Sequence, residues 1–171
     1  MDLKRIKQKN NNLMPVFISD DQRERFVDCE LLEIQGRNIL FFLECENQEL
    51  SILLTDDKKI RELNKKYRGQ DRATDVLSFP QNEGEENEPN DHLMGDVVIS
   101  TVTAKKQASQ HGLSLEEEIV LLLIHGILHL LGFNHERSEK EAYLMKKKTR
   151  ELFDHIFPNK KPTESCNLYS D

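Results

Sequence analysis

Residues Ser114 to His135 read SLEEEIVLLLIHGILHLLGFNH, and this stretch decides how the rest of the chain is read. Ser114 followed three positions later by Glu117 is a capping-box pattern, which opens a helix from Leu115 to Leu131. From Ile119 onward that helix is apolar on every side except at His125, Gly126 and His129. A helix without a polar face is buried, so it is the central helix of its domain.

His125 and His129 are four residues apart, and four steps of about 100° return the two side chains to nearly one face. Two imidazoles so placed reach a single metal ion. In an unbroken helix His135 would be rotated about 240° from His129 and point away. It joins them only if the helix ends between the two, and Gly132 suits that break. Imidazoles left without a partner on an apolar helix would carry a desolvation cost, which favours ligands over bystanders. Three neutral nitrogen donors with no fourth protein ligand in view suit a catalytic zinc that keeps an open position, although other divalent metals accept similar ligands.

The flanking sequence predicts an α+β fold: one domain with a small mixed sheet of about four strands, about five helices and a metalloprotease-like zinc helix. LMPVFIS (Leu13 to Ser19) reads as a first strand that Pro15 directs to an edge. The segment 28–44 mixes helical and alternating patterns, and helix is the better fit despite Gly36. ELSILLT (Glu49 to Thr55) alternates as a strand, and Ile60, Leu63 and Tyr67 recur at helical spacing up to Gly69. VLSF (Val76 to Phe79) and DVVI (Asp96 to Ile99) are further strands, the latter followed by a helix from Ser100 to about His111. Ser138 and Glu141 form a second capping box before a last amphipathic helix with Ala142, Met145, Leu152, Phe153 and Ile156 inward. Residues 1–12 read as a flexible arm, 13–158 as the single zinc hydrolase domain and 159–171 as a flexible tail. The acidic run 83–91 reads as a solvated loop, and His92, His111 and His155 as surface residues.

Composition sets wide bounds. With 171 residues, 37 % of them hydrophobic and 32 % charged, the chain suits one globular core. No apolar run reaches the roughly 18 residues of a membrane span, and the basic N-terminus lacks an apolar segment after it. Cys29, Cys45 and Cys166 are odd in number and widely spaced, so the expected compartment is a reducing cytoplasm. A net charge of −7 argues against a protein that coats nucleic acid by bulk electrostatics. A local basic patch from Lys65, Lys66, Arg68 and Arg72 stays open, against the alternative of a solvated helix end. Lys146, Lys147, Lys148 and Arg150 read as an exposed helix face. No histidine and acid accompany Ser78 in the manner of a serine hydrolase.

The ligand spacing H-x-x-x-H-x-x-G-x-x-H matches the metzincin peptidase pattern, with one departure. Those enzymes carry glutamate as general base directly after the first histidine. Here that residue is Gly126, which neither accepts nor delivers a proton. The departure counts against peptide hydrolysis, where a poor amine leaving group needs that help.

HGILHLLGFNH (His125 to His135) strongly resembles the signature of the YbeY family of bacterial endoribonucleases. YRG (Tyr67 to Gly69) with TDVLSFP (Thr74 to Pro80), and GDVVI (Gly95 to Ile99), resemble it in the same order, over roughly residues 50–137. One position departs: Asn134 stands where the family usually has aspartate. The resemblance implies a zinc-dependent endoribonuclease acting on single-stranded RNA. It further implies maturation of the 3′ end of small-subunit (16S) rRNA and ribosome quality control, with rRNA precursor and the small ribosomal subunit as partners and neither membrane nor DNA. Arg68 matches the family's functional arginine; read without the resemblance it is a cation favoured at a helix C-terminus. His125, His129 and His135 are then the metal ligands, with Arg68 and His125 catalytic. Zinc would acidify a water or polarise a phosphate oxygen, and the arginine would hold the phosphate. Asp75 and Asp96 are candidate acceptors for histidine N–H groups, or else turn and strand-end residues. The rival readings are a zinc metallopeptidase or amidase, and a non-catalytic ribosome-assembly factor with a structural zinc.

Overall fold

The protein is described by a computed structural model over residues 15–22, 26–81 and 92–169. The expected arm at 1–12, the first residues of the first strand and the acidic run 83–91 lie outside the described residues. Four strands form one mixed sheet: β1 (Val16–Asp20), β2 (Glu49–Thr55), β3 (Val76–Pro80) and β4 (Leu93–Ser100), in the order β1-β2-β4-β3. β1, β2 and β4 run parallel, and β3 pairs antiparallel with β4 at the far edge. Five helices accompany them among the described residues: α1 (Cys29–Phe42), α2 (Asp57–Arg68), α3 (Thr101–His111), α4 (Leu115–Leu130) and α5 (Glu139–Ile156).

Strand alternation sorts side chains onto two faces. Leu50, Ile52, Leu54, Val97 and Ile99 point into the main core with α4, α1 and α5. Leu77 and Val98 point the other way, against Ile60 of α2. The helices begin where the sequence marks them: Asp28, Asp56, Ser100, Ser114 and Ser138 each cap an N-terminus by accepting a backbone N–H. Ser114 and Glu117 form the reciprocal box expected of them. Gly36, the feature that weakens a helical reading of 28–44, is buried where α1 lies on the sheet, and a Cβ there would be 3.2 Å from Val16 Cγ1. Its place follows from packing.

Two expectations fail, and at one place. Residues 159–169 do not trail away: Cys166 is fully buried, and the Thr163 N–H donates to the His111 carbonyl at 2.9 Å. The Thr163 and Ser165 hydroxyls donate to the Gln110 carbonyl at 2.9 and 3.1 Å. His111, expected at the surface, is buried beneath this segment, its Nδ1 2.8 Å from Oε2 of the fully buried Glu118. Burial raises the Glu118 pKa, opposed by that histidine contact. Sparse apolar residues in a polar stretch carry no period, so the packing of 159–169 depends on a groove that only the folded chain forms. His92 and His155 are exposed as expected, His155 with its ring 4.9 Å from that of Phe42.

The central helix crosses the sheet over β3 and β4, and it packs tightly against the sheet at Gly126. A methyl group at that position would lie 2.7 Å from Val97 Cγ1 and 3.1 Å from its Cγ2. The Ser78 hydroxyl donates to the Gly126 carbonyl at 3.0 Å, fastening the helix to the edge strand. Gly126→Ala should therefore destabilise the fold by about 1–3 kcal/mol, as overpacking does. In urea titrations, adding Val97→Ala should make the double variant more stable than the sum of the single effects predicts; strict additivity would show that the two groups do not meet.

Candidate metal centre

His125 and His129 stand one turn apart on α4, and the helix ends immediately after them. Leu131 is the C-cap, and Gly132 adopts a φ of 87°, the left-handed conformation that glycine accepts at little cost. That turn brings His135 back, as the helix arithmetic requires. The ring centroids are 4.6 Å (His125–His129), 5.2 Å (His125–His135) and 5.1 Å (His129–His135) apart. One donor nitrogen from each lies within 4.8 Å of the others, and the Nε2 atoms of His125 and His129 are 3.1 Å apart. Nitrogens bonded to one tetrahedral zinc at about 2.0–2.1 Å are separated by about 3.3 Å, so the trio fits a single ion.

Electrostatics favour the same use. Burial, then the positive charge that His129 and His135 would carry, holds the His125 pKa down to about 3. Burial and His135 also lower that of His129. Neutral rings leave lone pairs for a metal. The His129 ring is hydrogen-bonded to the Phe133 backbone, in the sense that favours a ring proton, while its Nε2 faces His125. A backbone group of the post-helical turn, which no sequence pattern marks, thus sits against the His129 ring and can orient it.

Neither candidate carboxylate has that part. Asp75 Oδ1 accepts the Val76 N–H (2.8 Å) and the Thr74 hydroxyl (3.2 Å), and its Oδ2 accepts from Gln107 at 3.0 Å. It affects His125 only through its charge, which raises that pKa against the larger lowering. Asp96 shares the sheet face of Val98, away from α4, and accepts from Gln81 at 2.8 Å. Alternation along β4 could have signalled this from the sequence. Asn134 stabilises the ligand turn, its Oδ1 accepting the Glu136 N–H at 2.8 Å, a role an aspartate fills equally.

Arg68 ends α2, exposed and free of ion pairs among the described residues. Its charge nonetheless contributes to lowering the His129 pKa, so it stands within electrostatic reach of that histidine. Lys65 pairs with Asp71 at 2.9 Å, Lys66 lies over the Tyr67 ring at 4.9 Å, and Arg72 donates to Gln70 at 3.2 Å. All three are exposed, and Lys65 is partly neutralised. A cavity of about 220 Å³ beside the ligand turn is lined by Leu131 to Asn134, Arg137, Glu141 and Leu144. None of the three histidines lines it.

The family model described as Endoribonuclease YbeY matches residues 17–157. The chain belongs to the YbeY family. The Endoribonuclease YbeY of Persephonella marina is 47 % identical over 141 residues, covering 82 % of this chain and 92 % of that protein. The protein of the same name from Aquifex aeolicus is 45 % identical over 150 residues, covering 88 % and 91 %. Among solved structures, the solution structure of TM1509 from Thermotoga maritima superposes with a TM-score of 0.59 at 28 % identity, covering 84 % of this chain and 89 % of that one. The match extends well beyond the span 50–137 recognised from motifs, and stops just short of the segment that packs over His111.

The neutral state of His125 has a measurable consequence in the metal-free protein. An unfolded histidine takes up its proton near pH 6.5, whereas folded His125 resists it down to about 3. Between those values the unfolded chain holds more protons, so stability falls as pH falls. The urea midpoint of metal-free protein should drop between pH 7.5 and 5.5, and His125→Gln should flatten that drop. An identical pH dependence in the variant would contradict a neutral, buried His125.

Proposed function

We propose that this chain is a zinc-dependent endoribonuclease specific for single-stranded RNA, with one ion held by His125, His129 and His135. The observation that carries the reading is the cluster of three histidines able to hold one metal ion, in a chain whose relatives are named endoribonucleases. The exposed Arg68 carries its charge within electrostatic reach of His129. A guanidinium suits two phosphate oxygens at once, and beside a metal position it suits a phosphodiester better than a neutral peptide.

Zinc bound there would supply Lewis-acid polarisation and a lowered pKa for water. The chain's own residues do the remainder. Arg68 binds the scissile phosphate and offsets the charge that grows on it in the transition state. The neutral histidines keep their lone pairs turned inward, and the Gly132 turn sets His135 opposite the helical pair. Asp75 is already engaged by three donors, so it is a poor general base. The 2′-hydroxyl of RNA or a water is then the nucleophile.

The geometry also weighs against the peptidase rival. A glutamate at position 126 would need its Cβ where Val97 is packed. The biological setting follows the family resemblance: 3′-end maturation of 16S rRNA and ribosome quality control in the cytoplasm, on the small subunit or its precursor RNA. No helix among the described residues is long and apolar enough to cross a membrane.

Three proteins test the reading: native, Arg68→Ala and His129→Ala, each assayed for zinc, RNA cleavage and casein cleavage. Arg68→Ala should keep its zinc and lose about 100- to 1,000-fold in kcat/KM on single-stranded RNA, the scale seen when a charge-stabilising donor is removed. Casein should stay intact. Full RNA cleavage by Arg68→Ala, or by metal-free His129→Ala, would overturn the proposal.

A further inference from the structure

We propose that Tyr67 is a stacking platform for one unpaired base of the RNA, placed so that the phosphate of the same strand meets Arg68. The inference rests on the RNA reading above. Tyr67 is 58 % exposed, an unusual state for a large aromatic ring held at a helix end. Its ring is held in place against Phe79 of β3, with centroids 5.1 Å apart and planes at 63°, a T-shaped pair. Phe79 is itself half-buried against the small core beneath α2. A ring held against one neighbour while more than half of the residue stays exposed suits stacking, because little freedom remains to be lost when a base arrives.

The surroundings favour a nucleic-acid base over another flat apolar group. The Lys66 ammonium lies 4.9 Å from the Tyr67 ring centroid, the next residue is Arg68, and Lys65 on the same helix and Arg72 just after it are exposed. An exposed cation over a ring is a weak contact that a base can displace, freeing the lysine for a backbone phosphate. Phe79 and Ser78 are consecutive on β3 and face opposite sides of the sheet, Phe79 holding Tyr67 and Ser78 holding the Gly126 carbonyl of the metal helix. One edge strand therefore fixes both the platform and the ligand helix. In a duplex, bases present their faces to each other, so a platform of this kind selects unpaired RNA. That supplies a physical source for single-strand preference that the metal centre lacks.

The chain contains no tryptophan, so Tyr67→Trp creates a single fluorescent reporter at the platform, with Tyr143→Trp as the control, since Tyr143 is 60 % exposed on α5. The two zinc-loaded variants are titrated with a short single-stranded 2′-O-methyl oligoribonucleotide, with the same strand in a duplex, and with an abasic backbone of equal length. Quenching of the Tyr67→Trp indole by the single strand alone, with Tyr143→Trp emission unchanged, supports the platform. In parallel, Tyr67→Ala should raise KM for a cleavable single strand about 5- to 100-fold, as loss of one stacked base does, with kcat near native. Tyr67→Phe should restore KM. A silent indole in a Tyr67→Trp protein that binds the strand by anisotropy, or an unchanged KM in Tyr67→Ala, would overturn the proposal. If native protein cuts RNA while the Tyr67→Trp reporter stays silent, the platform fails and the nuclease reading stands. If the reporter responds but nothing is cut, the platform stands and the nuclease reading fails.

Discussion

The contact between the central helix and the sheet at Gly126 governs where every other part of the centre can lie. Van der Waals repulsion leaves no space for a side chain between the helix backbone and Val97, and the Ser78 hydroxyl ties the Gly126 carbonyl to the edge strand. With the helix pressed so close, its rotation about its own axis is set. The residue before the glycine, His125, and the residue three after it, His129, then share the open side. The same contact that orients the ligands also excludes the glutamate of a peptidase. One glycine thus bears on both geometry and chemistry.

A second constraint acts at the helix end. A helix that continued past Leu130 would carry His135 away from its partners. The left-handed Gly132 turns the chain back, the Phe133 backbone takes a hydrogen bond from His129, and Asn134 caps the return. Ligand and scaffold are interleaved over these few residues. Burial keeps His125 neutral in the absence of metal, which lowers the proton competition a metal would otherwise meet.

Much of this is legible in the sequence because it is written in local periods. Helical spacing, capping residues and the glycine break locate α4 and its three histidines, and short apolar runs, alternating in Glu49 to Thr55, mark the four strands. The unread parts involve contacts between distant segments. Cys166 and Thr163 fill a groove over His111 and Gln110, and nothing local in 159–169 signals that groove. Ser78 offers no recognisable catalytic pattern, since its partner is a carbonyl 48 residues away. Asp75 and Asp96 are reasonable acceptors by residue type, yet neighbouring donors occupy the first and strand parity turns the second to the wrong face. Helical spacing groups Tyr67 with the core-facing Ile60 and Leu63, and only the edge position of β3 shows its ring to be open.

The proposed chemistry depends on a single ion held by three imidazoles, and X-ray absorption on the zinc-loaded native protein tests this directly. One zinc per chain, with three imidazole nitrogens and one lighter oxygen scatterer at about 2.0–2.1 Å, is the predicted spectrum. A sulfur scatterer at about 2.3 Å, fewer than three imidazoles, or no stoichiometric zinc would contradict it.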